Sequence, residues 1–373
     1  MSMAARMALC SAVLVTGCWA QPMAGGQLPE PKGSLQKAGG QDASASNKQE
    51  ELQSPLRLTQ VETVLAKKEV ANLVGDLTCD EDGNIYLETG NPGGPIRELN
   101  PKGETVADFL FSADTSIDVY GNGPYTLSAD GALYTWVGNK KDGQFYVLVF
   151  GADGTHKRSI KLDPGFPWVP GPFAVFSNGN FLMTGQEYDR DVRKPMLPFT
   201  AIFRSDGKLL KEISFEDDER IHKMTLERDP VITSAMAPND NRAVAFGHVQ
   251  PAKDGNLYVM RWMSPAVIYV VSPGGEVLRR FTVDPGDDKM MPLQMFLSEN
   301  RIAMLFRNGG TRAQIMKVVD LTGKELATYD AVGTDPKAPL GAAFACYSGK
   351  TERFSFLSSD DDHRLLIRIT EPR

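Results

Sequence analysis

Glycine turns recur along this chain at a spacing that leaves few folds open. An Asp82-Gly83-Asn84-Ile85-Tyr86 run is followed by a second turn at Lys102-Gly103. The pair returns at Asp130-Gly131 and Asp153-Gly154, at Asn178-Gly179 and Asp206-Gly207, and at Asp254-Gly255 and Gly274-Gly275. A fifth pair stands at Glu299-Asn300 and Thr322-Gly323, and a sixth unit, Ser348 to Ile369, keeps its apolar stretches but lacks the second glycine. The segments between turns alternate apolar and polar residues, or run apolar throughout, as strands covered on one or both faces do. Gly83, Gly131 and Gly179 are each 48 residues apart. Four strands per unit at that period is the pattern of a β-propeller. A lone four-stranded sheet leaves both faces wet, so such units must shelter one another in a ring.

The expected fold is therefore all-β, a six-bladed β-propeller of four-stranded antiparallel blades. Arg353 to Leu357 and Leu365 to Ile369 are the last clear strands, which leaves the final unit one strand short. Leu56 to Leu65 is an orphan strand before the first repeat, with Leu58, Val61 and Val64 as apolar anchors. Pairing it with the last blade closes the ring and removes an exposed edge. Gly179 and Gly255 are 76 residues apart. The extra length holds a charged stretch, Glu216 to Asp229, and two strand-like runs, Val231 to Ala237 and Ala243 to Gly247. An insertion hairpin keeps the count at six; a degenerate blade makes it seven. Cys79 and Cys346 stand at similar offsets before the first turns of the first and last units. They form either a disulfide where the ring closes or two buried thiols.

The N-terminus carries an address. Arg6 precedes an apolar stretch, Met7 to Thr16, of signal-peptide length. Val15-Thr16-Gly17-Cys18 resembles a bacterial lipobox with Cys18 as the lipidated residue, whereas Cys18-Trp19-Ala20 suits ordinary cleavage before Gln21. Either reading sends the mature chain out of the cytoplasm, to the periplasm, to a membrane through the lipid, or beyond. Residues 21–54, rich in Gly, Gln, Ala, Ser and Pro, are expected to be a disordered tether with a reach of roughly 30–35 Å. The propeller then occupies 55–373. A formal net charge of −7 argues against a nucleic-acid partner. A monomer is expected, with membrane contact only through the N-terminal lipid.

Asp82-Gly83-Asn84-Ile85-Tyr86-Leu87, with Ile96-Arg97-Glu98-Leu99-Asn100-Pro101-Lys102-Gly103, resembles a repeat of the NHL-type six-bladed propellers, and Asp254 to Glu276 is similar. The resemblance spans about 55–373 and implies the fold, while members of that type bind proteins, RNA or small ligands, or act as enzymes. Enzymes of the gluconolactonase and regucalcin type hold a divalent metal over the channel through carboxylate and amide side chains. The inner strands, read as Leu73–Thr78, Tyr125–Ser128, Phe173–Phe176, Gly247–Ala252, Leu293–Leu297 and Ala342–Ala345, offer Asp76, His248 and Gln294. A single carboxylate is poor material for a hard cation, so Asp76 is a weak metal candidate and no cofactor or catalytic residue is expected. His156, His222, His248 and His363 lack metal-ligand spacing, and Asp360-Asp361-Asp362 reads as a solvated hairpin tip.

The loops joining second to third strands, and those entering the next blade, share one face. They carry Trp136, Trp168, Trp262, Tyr188, Arg190, Arg193, Lys194, Arg261, Arg307 and Arg312. Aromatics with arginines are common hot-spot material. Trp136 and Trp262 follow directly on second strands, so each either packs between blades or joins that surface. The leading expectation is an exported, non-catalytic binder of an envelope protein, a peptide or a small polar ligand, with Trp136, Tyr188, Arg190, Arg193, Arg261, Trp262, Arg307 and Arg312 as its contact residues. The alternative is a metal-dependent hydrolase or lactonase.

Overall fold

The repeated turns fold as tight hairpins that divide the chain into four-stranded antiparallel sheets. The computed structural model describes residues 56–66, 77–89, 94–187, 197–215, 248–311, 313–330, 343–360, 362 and 364–372. The expected signal segment with Cys18, the expected 21–54 tether and the charged stretch within 216–247 lie outside them.

Strand β1 spans Leu56–Leu65. Four sheets then follow in chain order, each laid out in sequence. The first holds β2 (Leu77–Cys79), β3 (Ile85–Glu88), β4 (Ile96–Leu99) and β5 (Thr105–Phe109). The second holds β6 (Val119–Leu127), β7 (Leu133–Asn139), β8 (Phe145–Phe150) and β9 (His156–Lys161). The third holds β10 (Trp168–Val175), β11 (Phe181–Glu187), β12 (Leu197–Phe203) and β13 (Leu209–Ile213). The fourth holds β14 (Val249–Pro251), β15 (Leu257–Arg261), β16 (Ala266–Val271) and β17 (Val277–Val283). The remaining strands are β18 (Met290–Ser298), β19 (Arg301–Asn308), β20 (Gln314–Asp320), β21 (Glu325–Asp330), β22 (Ala343–Ser348), β23 (Arg353–Ser359) and β24 (Leu365–Pro372). They join β1 in an eight-stranded sheet ordered β18-β19-β20-β21-β1-β24-β23-β22.

That long sheet has two halves held by β1. Along most of its length β1 pairs antiparallel with β24, from Leu58↔Pro372 to Leu65↔Leu366, while Leu56 and Arg57 alone pair in parallel with Tyr329 and Asp330 of β21. The first ordered strand thus supplies the fourth strand beside the chain's last. The missing second glycine of the final repeat has the same origin: β24 and β1 are the two ends of the fold, so no turn joins them. One anchor differs from expectation. Val61, at a register shift between Gln60 and Glu62, is 38% exposed, while Leu58 is buried at 1%. Alternation from Leu58 puts a residue three positions on at the opposite face, and the bulge leaves Val61 as its extra, unpaired residue.

Neighbouring sheets share cores. Tyr86 and Phe109 of the first pack with Tyr125, Leu133 and Phe150 of the second. Trp136 and Val147 meet Trp168, Phe199 and Phe203 of the third. Leu182, Ile202 and Phe215 meet Leu257 and Tyr269 of the fourth, whose other face meets Met295, Met304 and Phe306. Met316 and Tyr329 then pack on Phe344, Phe354 and Phe356 across the junction in the long sheet. Leu357, Leu365 and Ile367 return to Leu77, Ile85 and Leu87 of the first sheet. Every sheet thereby buries apolar side chains against a neighbour on each face, the propeller-like arrangement that the period required.

The second turn of each of the first five units has a tertiary duty as well. Gly207 has φ 86, and a Cβ there would stand 1.9 Å from the Lys161 carbonyl at the end of β9, where Asp163 N donates to Gly207 O at 2.9 Å. Each such turn leans on the outer strand of the sheet before it, with Gly103 seated against Leu65 of β1.

Candidate functional site

Antiparallel sheets put first-to-second and third-to-fourth hairpins at one end, here the turn face, and the other connections at the opposite end, the loop face. Of the residues expected on the loop face, Tyr188, Arg190, Arg193, Lys194 and Arg312 lie outside the described residues, as does Asp76. Trp262 follows β15 directly and is 39% exposed, and Tyr120 at the loop-face start of β6 is 43% exposed, so this face presents two large aromatics among the described residues. Arg307, half-buried in β19, stands opposite Met291 of the inner strand β18.

Two expected contact residues are placed elsewhere. Trp136 lies in the middle of β7, buried between the second and third sheets, where its Nε1–H donates to the Gly171 carbonyl of β10 at 3.0 Å. A Cβ at Gly123 would overlap its ring at 1.8 Å, so the glycine of the inner strand makes room for the indole. Trp136 therefore fastens two sheets. Arg261, the last residue of β15, is only 8% exposed, with its guanidinium carbon 5.8 Å from the Tyr269 ring centroid. Covered arginines of this kind hold structure through the aromatic face and offer a ligand little surface. Trp168 is likewise buried, stacked on Phe203.

The inner strands show a feature that sequence reading missed. Register shifts interrupt β6 between Asn122 and Tyr125, β10 between Pro170 and Phe173, and β18 between Pro292 and Gln294. Each holds a proline, Pro124, Pro172 or Pro292, within or at its edge. Proline cannot donate to a ladder, and bulges re-aim the strand at the positions where it occurs. Gly-Pro in β6 and β10 was the legible signal. Asn122 Nδ2 reaches back to Glu88 Oε1 at 3.1 Å, and His248 Nε2 lies 2.8 Å from the Leu293 carbonyl, so both tie neighbouring sheets.

Charge is buried at the turn end of the first sheet. Asp80 Oδ1 accepts from the backbone N–H groups of Asp82 and Asn84, which shapes the hairpin. Asn84 Nδ2 then donates to both Asp80 Oδ2 and Glu98 Oε1, each at 2.9 Å. Glu98 is 4% exposed, with its carboxylate withdrawn from water. Burial raises the Glu98 carboxyl above its ordinary range, and the Asp80 charge adds to this, while hydrogen bonds to Tyr86 and Asn84 oppose it. Burial likewise raises Asp80 and the Tyr86 phenol. The Asn84 amide bridges the two carboxylates, so the cluster supports the hairpin.

His156 lies edge-on to Phe150 with Nε2 3.0 Å from Ser159 Oγ. Ser159 donates to Asp114 Oδ2 at 2.6 Å, and Asp114 is held at about 2 chiefly by hydrogen bonds from Ser116 and Ser159. Its proton thus faces a very weak base, the reverse of a nucleophilic triad. Among the described residues no group of three or more His, Cys, Asp or Glu is placed to hold a metal ion. Of the acidic hairpin, Asp360 and Asp362 pair with Arg364.

The structure joins Cys79 at the end of β2 to Cys346 in β22, with 5.4 Å between their Cα atoms, so a disulfide links the first strand of the first sheet to the first strand of the last group.

No family model matches the chain, and no curated protein matches it. Among solved structures it is similar to a calcium-binding protein, regucalcin, from Agrobacterium tumefaciens, at 11% identity and a TM-score of 0.46, covering 86% of this chain and 98% of that one. It is also similar to a protein of unknown function from Bacteroides caccae, at 11% identity and a TM-score of 0.42, covering 74% and 94%. Likeness at this level carries no functional argument, and the fold rests on the sheet order and the shared cores above.

Proposed function

We propose that the chain is an exported, NHL-like six-bladed propeller that binds a protein, a peptide or a small polar ligand on its loop face without catalysis. The eight-stranded sheet counts as two blades because only Leu56 and Arg57 join its halves. Six seams, each between consecutive units, support that number. Export follows from the signal-like N-terminus, with Cys18 as the lipidation site in the anchored form and 21–54 as the tether ahead of a domain at 55–373.

The observation that carries the binding reading is the exposed Trp262 at the loop-face end of a sheet whose remaining large apolar side chains there are covered. An aromatic of that size is costly to leave in water and a frequent interface anchor. Arg307 on the next unit supplies a cation toward the same face. Photo-crosslinkers placed at 262 and 307 in cells should capture one discrete partner or metabolite, whereas crosslinkers at Lys102 and Lys157 on the turn face should not. Equal capture from both faces, or none at 262 and 307, would remove the reading.

A further inference from the structure

Three hairpin turns far apart in the sequence meet at one ammonium. Lys253, between β14 and β15, places Nζ 2.8 Å from Glu81 Oε2 and 3.2 Å from Glu299 Oε1. Glu81 belongs to the β2–β3 turn and Glu299 to the β18–β19 turn. In a six-membered ring the units of Glu81 and Lys253 stand on opposite sides. Their turns can touch only where the inner strands converge, over the axis. A fourth turn is drawn in beside them: Gly349 N donates to Ser298 Oγ at 2.9 Å, and Ser298 directly precedes Glu299. No side chain fits there, since a Cβ on Gly349 would lie 2.7 Å from the Ser298 carbonyl.

The backbone is held in an unfavoured state at this junction. Glu299 has φ 54, a left-handed value that the first turns of the first four sheets give to Gly83, Gly131, Gly179 and Gly255. L-residues avoid that region, and departures from it cluster at positions with a task. The disulfide belongs to two of the same inner strands. Cys79 ends β2 two residues before Glu81, and Cys346 stands three before Gly349, on the two inner strands that flank the same end of the axis.

We propose that Lys253, bridging Glu81 and Glu299, is a latch that closes the turn-face end of the axial passage and screens the Cys79–Cys346 disulfide from reductants. The latch rests on the six-bladed reading given above, and it leaves the loop face as the entrance to the passage. Its three side chains are each about half exposed, at 52%, 56% and 45%, so salt loosens it. Exposed ion pairs bias a two-state closure by up to about fivefold.

The test is the rate at which a neutral water-soluble phosphine reduces the native disulfide. The phosphine attacks one sulfur and the S–S bond breaks with release of a thiolate. Water then hydrolyses the phosphonium, leaving the phosphine oxide and two thiols. A neutral reagent is insensitive to the charge that the substitutions alter. Lys253→Met and the pair Glu81→Gln/Glu299→Gln should both speed reduction about threefold to fivefold at low salt with unchanged melting temperature. Wild-type protein in 1 M NaCl should approach the variants, because screening then acts within about 3 Å. Equal rates in all four samples, with the disulfide verified by peptide mass in the starting protein, would overturn the latch and leave the ring intact. A starting protein without the Cys79–Cys346 peptide would overturn both the latch and the ring-closing bond.

Discussion

The disulfide offers the sharpest quantitative test of ring closure. Cys79 and Cys346 are 267 residues apart in sequence, so their bond closes almost the whole folded unit into one loop. Cross-linking acts mainly by removing conformations from the unfolded chain, and for a loop of this length the chain-entropy relation gives about 5.6 kcal/mol at 25 °C. Measured effects commonly fall lower, at about 2–4 kcal/mol, since denatured chains retain structure. The unit from Pro55 to Arg373 holds roughly 320 residues. At about 2.1 cal/mol/K per residue its unfolding entropy is roughly 0.67 kcal/mol/K. Losing the bond should therefore lower Tm by about 3–8 °C. The cleanest comparison is oxidised against reduced wild-type protein by calorimetry, because the side chains are the same in both. Cys79→Ala/Cys346→Ala should match the reduced protein to within the small cost of two lost sulfurs. A reduced protein that melts within 1 °C of the oxidised one would refute the reasoning and assign closure entirely to the β1–β24 pairing.

Two further outcomes follow from local geometry. Glu98 titrates above its ordinary range when folded, so the native state holds an extra proton. Wild-type stability should fall as pH rises from the ordinary glutamate range through the raised value. Glu98→Gln removes that charge beside Asp80 and should stabilise the fold by about 1–3 kcal/mol at pH 7, an advantage that shrinks toward pH 4; urea titrations across pH 4–8 that show no such convergence would contradict it. Gly143 and Gly207 separate backbone strain from crowding, since both have positive φ but only Gly207 faces a neighbour. Gly143→Ala should cost about 1–2 kcal/mol from φ alone, and Gly207→Ala about 1–3 kcal/mol more from overlap with the β9 carbonyl. Equal losses in denaturant melts would show that the turns do not bear on the preceding sheet.

Much of the architecture was legible because its causes are local. Left-handed turn positions ask for glycine, strands between them ask for apolar alternation, and both repeat at a fixed period. The orphan status of Leu56–Leu65 even identified the closing strand. The functional surface was less legible. Trp136 and Trp262 follow similar strand patterns in sequence, yet one is locked between sheets by Gly171 and the other meets solvent. Nothing within their own segments distinguishes them, because the difference lies in what the neighbouring inner strand presents.

By itself, then, the order of residues settled the repeating unit, its turns and the need for mutual covering, since these depend on each residue and its near neighbours. Tertiary structure alone decided that Val61 is the unpaired residue of a bulge, that Arg261 is covered, and that the third-to-fourth turns seat against a previous sheet. It alone brought Glu81, Lys253 and Glu299 to one point. Such meetings join positions more than 40 residues apart, and only the closing of the ring determines which distant side chains come within reach.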